Sequence, residues 1–374
     1  MEWIVFGVAS FLATYLLMPP FIRLMEKHKL LDSSGGRKIH TGYTAHMGGV
    51  VIFVASHVSV LLGIFIMDYA DLTWKALAFI TLMSLVLLVG VRDDMNNLTP
   101  KIKLICEIAV GFLLCYIGVR IHSFYGLFGI DVIPVWLSYI LSIAFMVVVS
   151  NAYNLIDGID GQAGTQALSF FCFMFAIFMF VFKDMNTLSV EDNFANTSFW
   201  LLVAVAMIGS LLGFLVFNWQ PAKIFMGDTG SLFIGFLLAI CMLVMMDYNG
   251  ENTKTICSLE IKSNLLVVIM LFFLPLADTL RVFIYRVQRG KSPFSADKTH
   301  IHHLFFRIGY KHSKIALTTL SIQVVISLIS IAMAFVLEDI FYIIYIIGMW
   351  FVFVFGLRAF IRSRIRKLRI KKIK

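Results

Sequence analysis

The sequence predicts an all-α polytopic membrane protein with about eleven transmembrane helices, the N-terminus outside and the C-terminus in the cytoplasm. Three observations carry that prediction. First, 60% of the 374 residues are hydrophobic and 14% charged, with a mean hydropathy of +0.90; ordinary soluble domains carry about 25% charged residues. Second, apolar runs recur at the length a helix needs, about 20 residues for a hydrocarbon core of about 30 Å. Third, Lys and Arg are unevenly spread. Of the 31, 26 fall after the first, third, fifth and seventh runs, from Arg281 at the end of the ninth run onward, and in the C-terminal stretch from Arg358. Basic residues mark cytoplasmic loops. The remaining loops are mildly acidic, as at Asp184, Glu191 and Asp192.

The predicted spans cover 2–22, 46–67, 73–91, 104–121, 134–151, 164–182, 197–217, 229–247, 262–284, 316–336 and 339–358. Glu2 precedes the first run where a signal peptide would carry basic residues, and no small-residue cleavage site follows, so it reads as a retained helix. The second carries His57, read as an interhelical hydrogen-bond partner. Glu107, one turn beyond Lys103 in the fourth, reads as its neutralising partner. Asp278 and Arg281, spaced i, i+3 near the end of the ninth, read as an ion pair. The five cysteines (Cys106, Cys115, Cys172, Cys241, Cys257) form no CxxC pair and read as small hydrophobes. With no internal repeat or low-complexity linker, residues 1–358 are expected to form one helical domain. Residues 359–374 follow as a basic cytoplasmic tail. That tail flanks a span and lacks interleaved aromatics, so it reads as a topology signal and lipid anchor, not a nucleic-acid contact.

Carboxylates are costly beside lipid, and those kept there usually serve function. Here they sit at span ends, on loops of one parity. Asp93 and Asp94 end the third span; neighbouring carboxylates repel unless a cation joins them, and Lys101 and Lys103 follow. After the fifth span comes Asn151-Ala-Tyr-Asn154-Leu-Ile-Asp157-Gly-Ile-Asp160-Gly161, with no basic residue between Arg120 and Lys183. On a helical turn Asn154, Asp157 and Asp160 would share a face, and in a looser turn the glycines would let the backbone approach a ligand; either way the acids are expected to converge on a bound cation. Asp228 lies between Gly227 and Thr229-Gly230-Ser231 before the eighth span, with Lys223 nearby. It is placed to cap that helix, where backbone N–H groups favour an anion. A hard ion such as Mg²⁺ takes one or two carboxylates together with substrate phosphates. The loop at roughly 281–315 carries His300, His302 and His303 among Lys291, Lys298, Arg307 and Lys311. That setting favours anion binding over metal ligation. Acids at span ends suit surface catalysis better than a transporter, whose ion sites lie near the bilayer midplane.

Together, the blocks Val91–Asp94, Asn151–Gly161, Met226–Ser231 and His300–His303 resemble the polyprenyl-phosphate N-acetylhexosamine-1-phosphate transferases, with similarity from His40 to about His312. Eleven spans and an HIHH segment resemble the bacterial branch that starts O-antigen, enterobacterial common antigen and teichoic-acid linkage units. The branch using UDP-MurNAc-pentapeptide is similar. The resemblance implies a reaction at the cytoplasmic face of the bacterial inner membrane. UDP-sugar and undecaprenyl phosphate would give undecaprenyl-diphospho-sugar and UMP, with Mg²⁺ (or Mn²⁺) as cofactor.

It also implies roles, position by position. Asn154 and Asp228 match metal ligands. Asp93 and Asp94 match the catalytic pair, with Asp157, His302 and His303 as further catalytic positions. Lys103, Asn151, Asp160, Lys223, Lys298 and His300 match substrate-binding positions. Gly36-Arg-Lys-Ile-His40 through Gly48-Gly49 resembles the family's first inner loop. The expected partners are a UDP-sugar donor, of which UDP-GlcNAc fits the branch, the lipid acceptor and the bilayer; a homodimer is compatible. No nucleic acid is expected.

Overall fold

A computed structural model describes residues 2–32, 44–67, 73–124, 127–130, 132–180, 197–251, 255–256, 259–260, 264–292 and 299–373. Thirteen α-helices are described: α1 (Glu2–Lys27), α2 (Gly49–Ile66), α3 (Thr73–Asn96), α4 (Pro100–Tyr116), α5 (Val135–Ile156), α6 (Gln162–Phe180), α7 (Thr197–Asn218), α8 (Gly227–Glu251), α9 (Asn264–Met270), α10 (Phe273–Val287), α11 (Ile301–Arg307), α12 (His312–Ala334) and α13 (Asp339–Ile373). The described strands are two-residue hairpins, Leu31–Asp32 with Thr44–Ala45 and Thr255–Ile256 with Leu259–Glu260. The chain is an all-α polytopic membrane protein. Nine described helices are long and apolar enough to cross a bilayer. The 17-residue α4 and the interrupted α9–α10 pair occupy the places of the other two predicted spans.

α8 is the central pillar, and its apolar window is entirely buried. α1 and α13 lie at the periphery, with 22% and 11% of theirs buried. Lipid offers no hydrophobic drive between helices, so close backbone approach and hydrogen bonds must hold them. α1 and α7 show both. A Cβ on Gly209 would fall 2.0 Å from the Gly7 carbonyl oxygen. Beside it, Ser10 donates to the Ala206 carbonyl at 2.7 Å and Thr14 Oγ1 lies 3.0 Å from Ser210 Oγ. The break between α9 and α10 is satisfied from α12: Gln323 accepts from Leu274 N at 2.8 Å and donates to the Met270 carbonyl at 3.0 Å. Non-helical backbone at membrane depth needs such partners.

His57 departs from its predicted role. Its Nδ1 pairs within α2, 2.9 Å from the Phe53 carbonyl, and its contact with α8 is aromatic, against Phe233. Of the described cysteines, Cys115 and Cys241 are buried, Cys106 is half-buried and Cys172 is exposed. Asp184, Glu191, Asp192, Cys257, Lys298 and the Gly36–His40 segment lie outside the described residues.

Candidate active site

Four helix ends meet at one end of the bundle, and glycines let them. A Cβ on Gly49, at the start of α2, would fall 2.1 Å from Gly230 Cα in the first turn of α8. One on Gly90, near the end of α3, would fall 2.5 Å from Thr229 Cα. The segment before α8 is pinned by backbone bonds: Phe225 N donates to the Ala45 carbonyl, Gly48 N to Phe225 and Gly49 N to Met226. The first turn of α8 is thereby seated against α2 and α3.

Into that junction project Asp93 from α3, Lys103 from α4, Asn154 from α5 and Asp228 from α8. Lys103 Nζ lies 3.1 Å from Asp93 Oδ2 and 3.0 Å from Asp228 Oδ1, bridging carboxylates from two helices. Asn154 Nδ2 donates to that same Asp228 oxygen, and to Ser231 Oγ at 2.6 Å. Leu98 N donates to Asp93 Oδ1 at 2.7 Å, so both Asp93 oxygens are engaged. The Asp228 side chain is the most open of the charged three, 36% exposed against 15% for Lys103 and 9% for Asp93. These residues, dispersed over more than a hundred positions of sequence, form one constellation.

Asp94 has a different role from Asp93. It accepts from Asp228 N and Thr229 N, both at 2.9 Å, and from the Thr229 hydroxyl at 2.6 Å. Asp94 is therefore the cap of α8, a part the sequence assigned to Asp228. Gly227, at φ +75°, lets this happen: a Cβ there would meet Asp94 Oδ2 at 2.5 Å.

The shared face expected for Asn154, Asp157 and Asp160 does not exist. α5 ends at Ile156, Asp157 is its C-cap, and the chain turns through Gly161 at φ +75°. Asp160 is buried and faces α12 instead. Its carboxylate lies 3.1 Å from His312 Nδ1 and accepts from Ala222 N at 3.2 Å. It clasps three segments together. Asn151 also points elsewhere, donating to Glu107 Oε2 at 2.9 Å. Glu107 thus pairs with α5, while Lys103 is neutralised by Asp93 and Asp228. Lys223 is exposed.

The histidines do not form an open loop. His300 is the N-cap of α11, and His302 lies in its first turn. Both are buried. Asp278 of α10 anchors this short helix. It accepts from Ile301 N at 3.1 Å, sits 2.9 Å from His300 Nδ1 and pairs with Arg281 at 2.5 Å. Arg281 in turn donates to the Thr299 carbonyl at 2.7 Å. The predicted Asp278–Arg281 pair is present, and it holds the histidine segment in place. His300 is consequently turned inward. His302 sits against Gly158, where a Cβ would fall 2.9 Å from its Nε2. Burial, together with the neighbouring imidazoles of His303 and His300, pushes the His302 pKa down to about 3. His303, half-buried, packs its ring 4.2 Å from that of His302.

Sequence reasoning did not single out His312, and it left Glu107 as mere neutralisation. Their partners are 152 and 44 positions away. No local pattern announces such pairs. Thr229 and Ser231 were legible as the polar residues next to Asp228.

The donor set suits a hard divalent ion. Among the described residues no three His, Cys, Asp or Glu stand at metal-holding spacing. What converges is carboxylate oxygen from Asp228 and Asp93 around the Lys103 ammonium, with the Asn154 amide turned by its Nδ2 onto Asp228. Mg²⁺ is ordinarily held in this way, by few protein oxygens with phosphate completing the shell.

The model for glycosyl transferase family 4 matches residues 76–246, which span Asp93 through Asp228. Three relatives agree. A "probable undecaprenyl-phosphate N-acetylglucosaminyl 1-phosphate transferase" of Bacillus subtilis is 29% identical over 330 residues, 87% of this chain and 83% of that protein. An "undecaprenyl-phosphate alpha-N-acetylglucosaminyl 1-phosphate transferase" of Escherichia coli K12 is 26% identical, over 81% of this chain and 76% of the relative. A "phospho-N-acetylmuramoyl-pentapeptide-transferase" of Streptococcus uberis is 35% identical over 64% of this chain and 72% of the relative. The chain belongs to glycosyl transferase family 4, the polyprenyl-phosphate N-acetylhexosamine-1-phosphate transferases that its motifs resemble.

Proposed function

We propose that this enzyme transfers N-acetylglucosamine 1-phosphate from UDP-GlcNAc to undecaprenyl phosphate at the cytoplasmic face of the bacterial inner membrane, releasing UMP. The observation that carries the reading is the Lys103 ammonium shared by Asp93 and Asp228, with Asn154 on the same Asp228 oxygen, at a helix-end junction. The names of the Bacillus subtilis and Escherichia coli relatives support the acceptor and the sugar.

The chemistry follows from charge. An acceptor phosphate oxygen bonds to the β-phosphorus of the donor. The bond from that phosphorus to the bridging oxygen breaks, and the electron pair leaves with UMP. Phosphoryl transfer is mainly positioning and charge stabilisation. Lys103 faces the developing negative charge, supplying a fixed cation in a poorly hydrated site. Bound Mg²⁺, held by Asp228 and Asn154 with Asp93 beside them, would neutralise the donor diphosphate. The acceptor is a phosphomonoester with a second pKa of about 6, so near neutrality it is largely a dianion and needs little deprotonation. Asp93, with both oxygens engaged, orients Lys103 and the acceptor; that engagement argues against a phospho-aspartyl intermediate.

The Streptococcus uberis match favours a second reading, with UDP-MurNAc-pentapeptide as donor. A donor panel separates the two. Purified protein in detergent, with Mg²⁺ and undecaprenyl phosphate, is expected to release UMP from UDP-GlcNAc. Turnover with UDP-MurNAc-pentapeptide alone would select the second reading. No turnover with any UDP-sugar, alongside ion flux in liposomes, would point to a transporter and defeat both.

A further inference from the structure

One buried carboxylate beside the site has no part in the reaction described above. Glu107 lies on α4 one turn from Lys103, and only 4% of it is exposed. Its Oε2 accepts from Asn151 Nδ2 at 2.9 Å, while Oε1 has no hydrogen-bond partner and is shut off from solvent. Asn151 lies one turn before Asn154 on α5, and its amide is fixed a second time by the Val147 carbonyl at 2.8 Å. α4 and α5 are thus joined by two successive rungs. The outer rung is Lys103 and Asn154, meeting on Asp228 Oδ1. The inner rung is Glu107 and Asn151. A buried carboxylate with one oxygen unsatisfied is destabilising and calls for an explanation. Gln facing Asn151 would join the helices without burying an acidic group, and an apolar pair would leave no polar atom unsatisfied.

We propose that Glu107 is a positioning residue for the transfer centre. Its hydrogen bond to Asn151 sets the rotation of α5 against α4, so that Asn154 and Lys103 converge on one oxygen of Asp228. This role rests on the transferase reading above. Second-layer partners of this type act on the groups they hold without touching substrate. The bond to Asn151 is the working part. Either partner's loss should loosen the same rung, and losing both should do no more.

The test is steady-state UMP release by the purified full chain, with UDP-GlcNAc and Mg²⁺ each titrated. Glu107→Ala is expected to lower kcat about 10- to 100-fold and to raise half-saturating Mg²⁺ by a similar factor, with KM for UDP-GlcNAc within about threefold of wild type. Asn151→Ala should match it, and the double variant should be no worse than either single one. Glu107→Gln, whose amide oxygen still accepts from Asn151, should recover to within about threefold of wild type. The inference is overturned if Glu107→Gln is as impaired as Glu107→Ala, or if the losses at 107 and 151 multiply. Should Glu107→Ala not yield monodisperse protein, the glutamine variant and Asn151→Ala decide the matter. Absent turnover by wild type would instead overturn the assigned reaction; an active wild type with unaffected variants removes only the role of Glu107.

Discussion

Lys103 is held by carboxylates from two helices, and in the proposed reaction it meets a phosphate, so its charge should matter more than its packing. Lys103→Met keeps most of the stem and removes the ammonium. Loss of one fixed charge donor in such a site costs on the order of 10²- to 10³-fold in kcat. Asp94→Asn should behave differently, because Asp94 caps α8: stability falls by about 1 kcal/mol while measurable turnover remains. UMP release and thermal melting in detergent separate the two; near-normal kcat in Lys103→Met would remove that residue from catalysis. His302 supplies a pH dependence. Its pKa is pushed from 6.5 down to about 3 by burial, so the unfolded chain binds a proton that the folded one refuses. The resulting penalty is absent above pH 6.5 and grows as pH falls toward 3. The melting temperature of wild type should therefore drop more steeply from pH 7.5 to 5 than that of His302→Gln; parallel curves would contradict the burial argument. At this scale the identities of Asp93, Lys103, Asn154 and Asp228 were legible from chemistry and spacing. The divergence of Asp94, Asn151, Asp160 and His300 was not. Their partners come from Thr229, Glu107, His312 and Asp278, and each pairing is set by tertiary packing.

The helices themselves were largely readable, because an apolar run of bilayer length has few alternatives. Their ends were harder. The expected 229–247 span begins at Gly227, which puts Asp228 inside the first turn of α8 and makes it a recipient of capping. The predicted loop at 281–315 begins later, since α10 runs to Val287, and it contains α11, whose burial against Asp278 no periodicity reveals in seven residues. The contacts that seat α8 depend on missing side chains, which makes glycine the informative substitution. Gly49→Ala would drive a methyl into Gly230 backbone, 2.1 Å away, and should destabilise by on the order of 1–3 kcal/mol while displacing Asp228. Gly348→Ala, in α13 with no atom within 4 Å, should be neutral or slightly stabilising. Melting temperatures and UMP release for the pair check this; equal behaviour would show that the close approach of α2 and α8 is not needed.

For the molecule as a whole, the bias of basic residues and the position of the site tell one story. Asp93, Lys103, Asn154 and Asp228 all come from segments of the Lys/Arg-rich parity, and they meet at one bundle end. On the other parity, His122 and Asp247 lie 3.5 Å apart. A C-terminal fusion should accordingly give fluorescent green fluorescent protein and inactive alkaline phosphatase; the reverse would turn the site outward. On the proposed reaction the acceptor lipid cannot leave the bilayer, so a catalytic centre at helix ends is where lipid phosphate and aqueous nucleotide could both reach it. The proposed reaction requires these four side chains to act as one magnesium-dependent centre. The most direct test is UMP release from UDP-GlcNAc by wild type and by Asp228→Ala, with Mg²⁺ titrated and then removed by chelation. Wild-type turnover should vanish on chelation and return with Mg²⁺, and Asp228→Ala should stay at least about 10³-fold below wild type at every Mg²⁺ concentration. Turnover that survives chelation, or an Asp228→Ala enzyme with near-normal kcat, would contradict it.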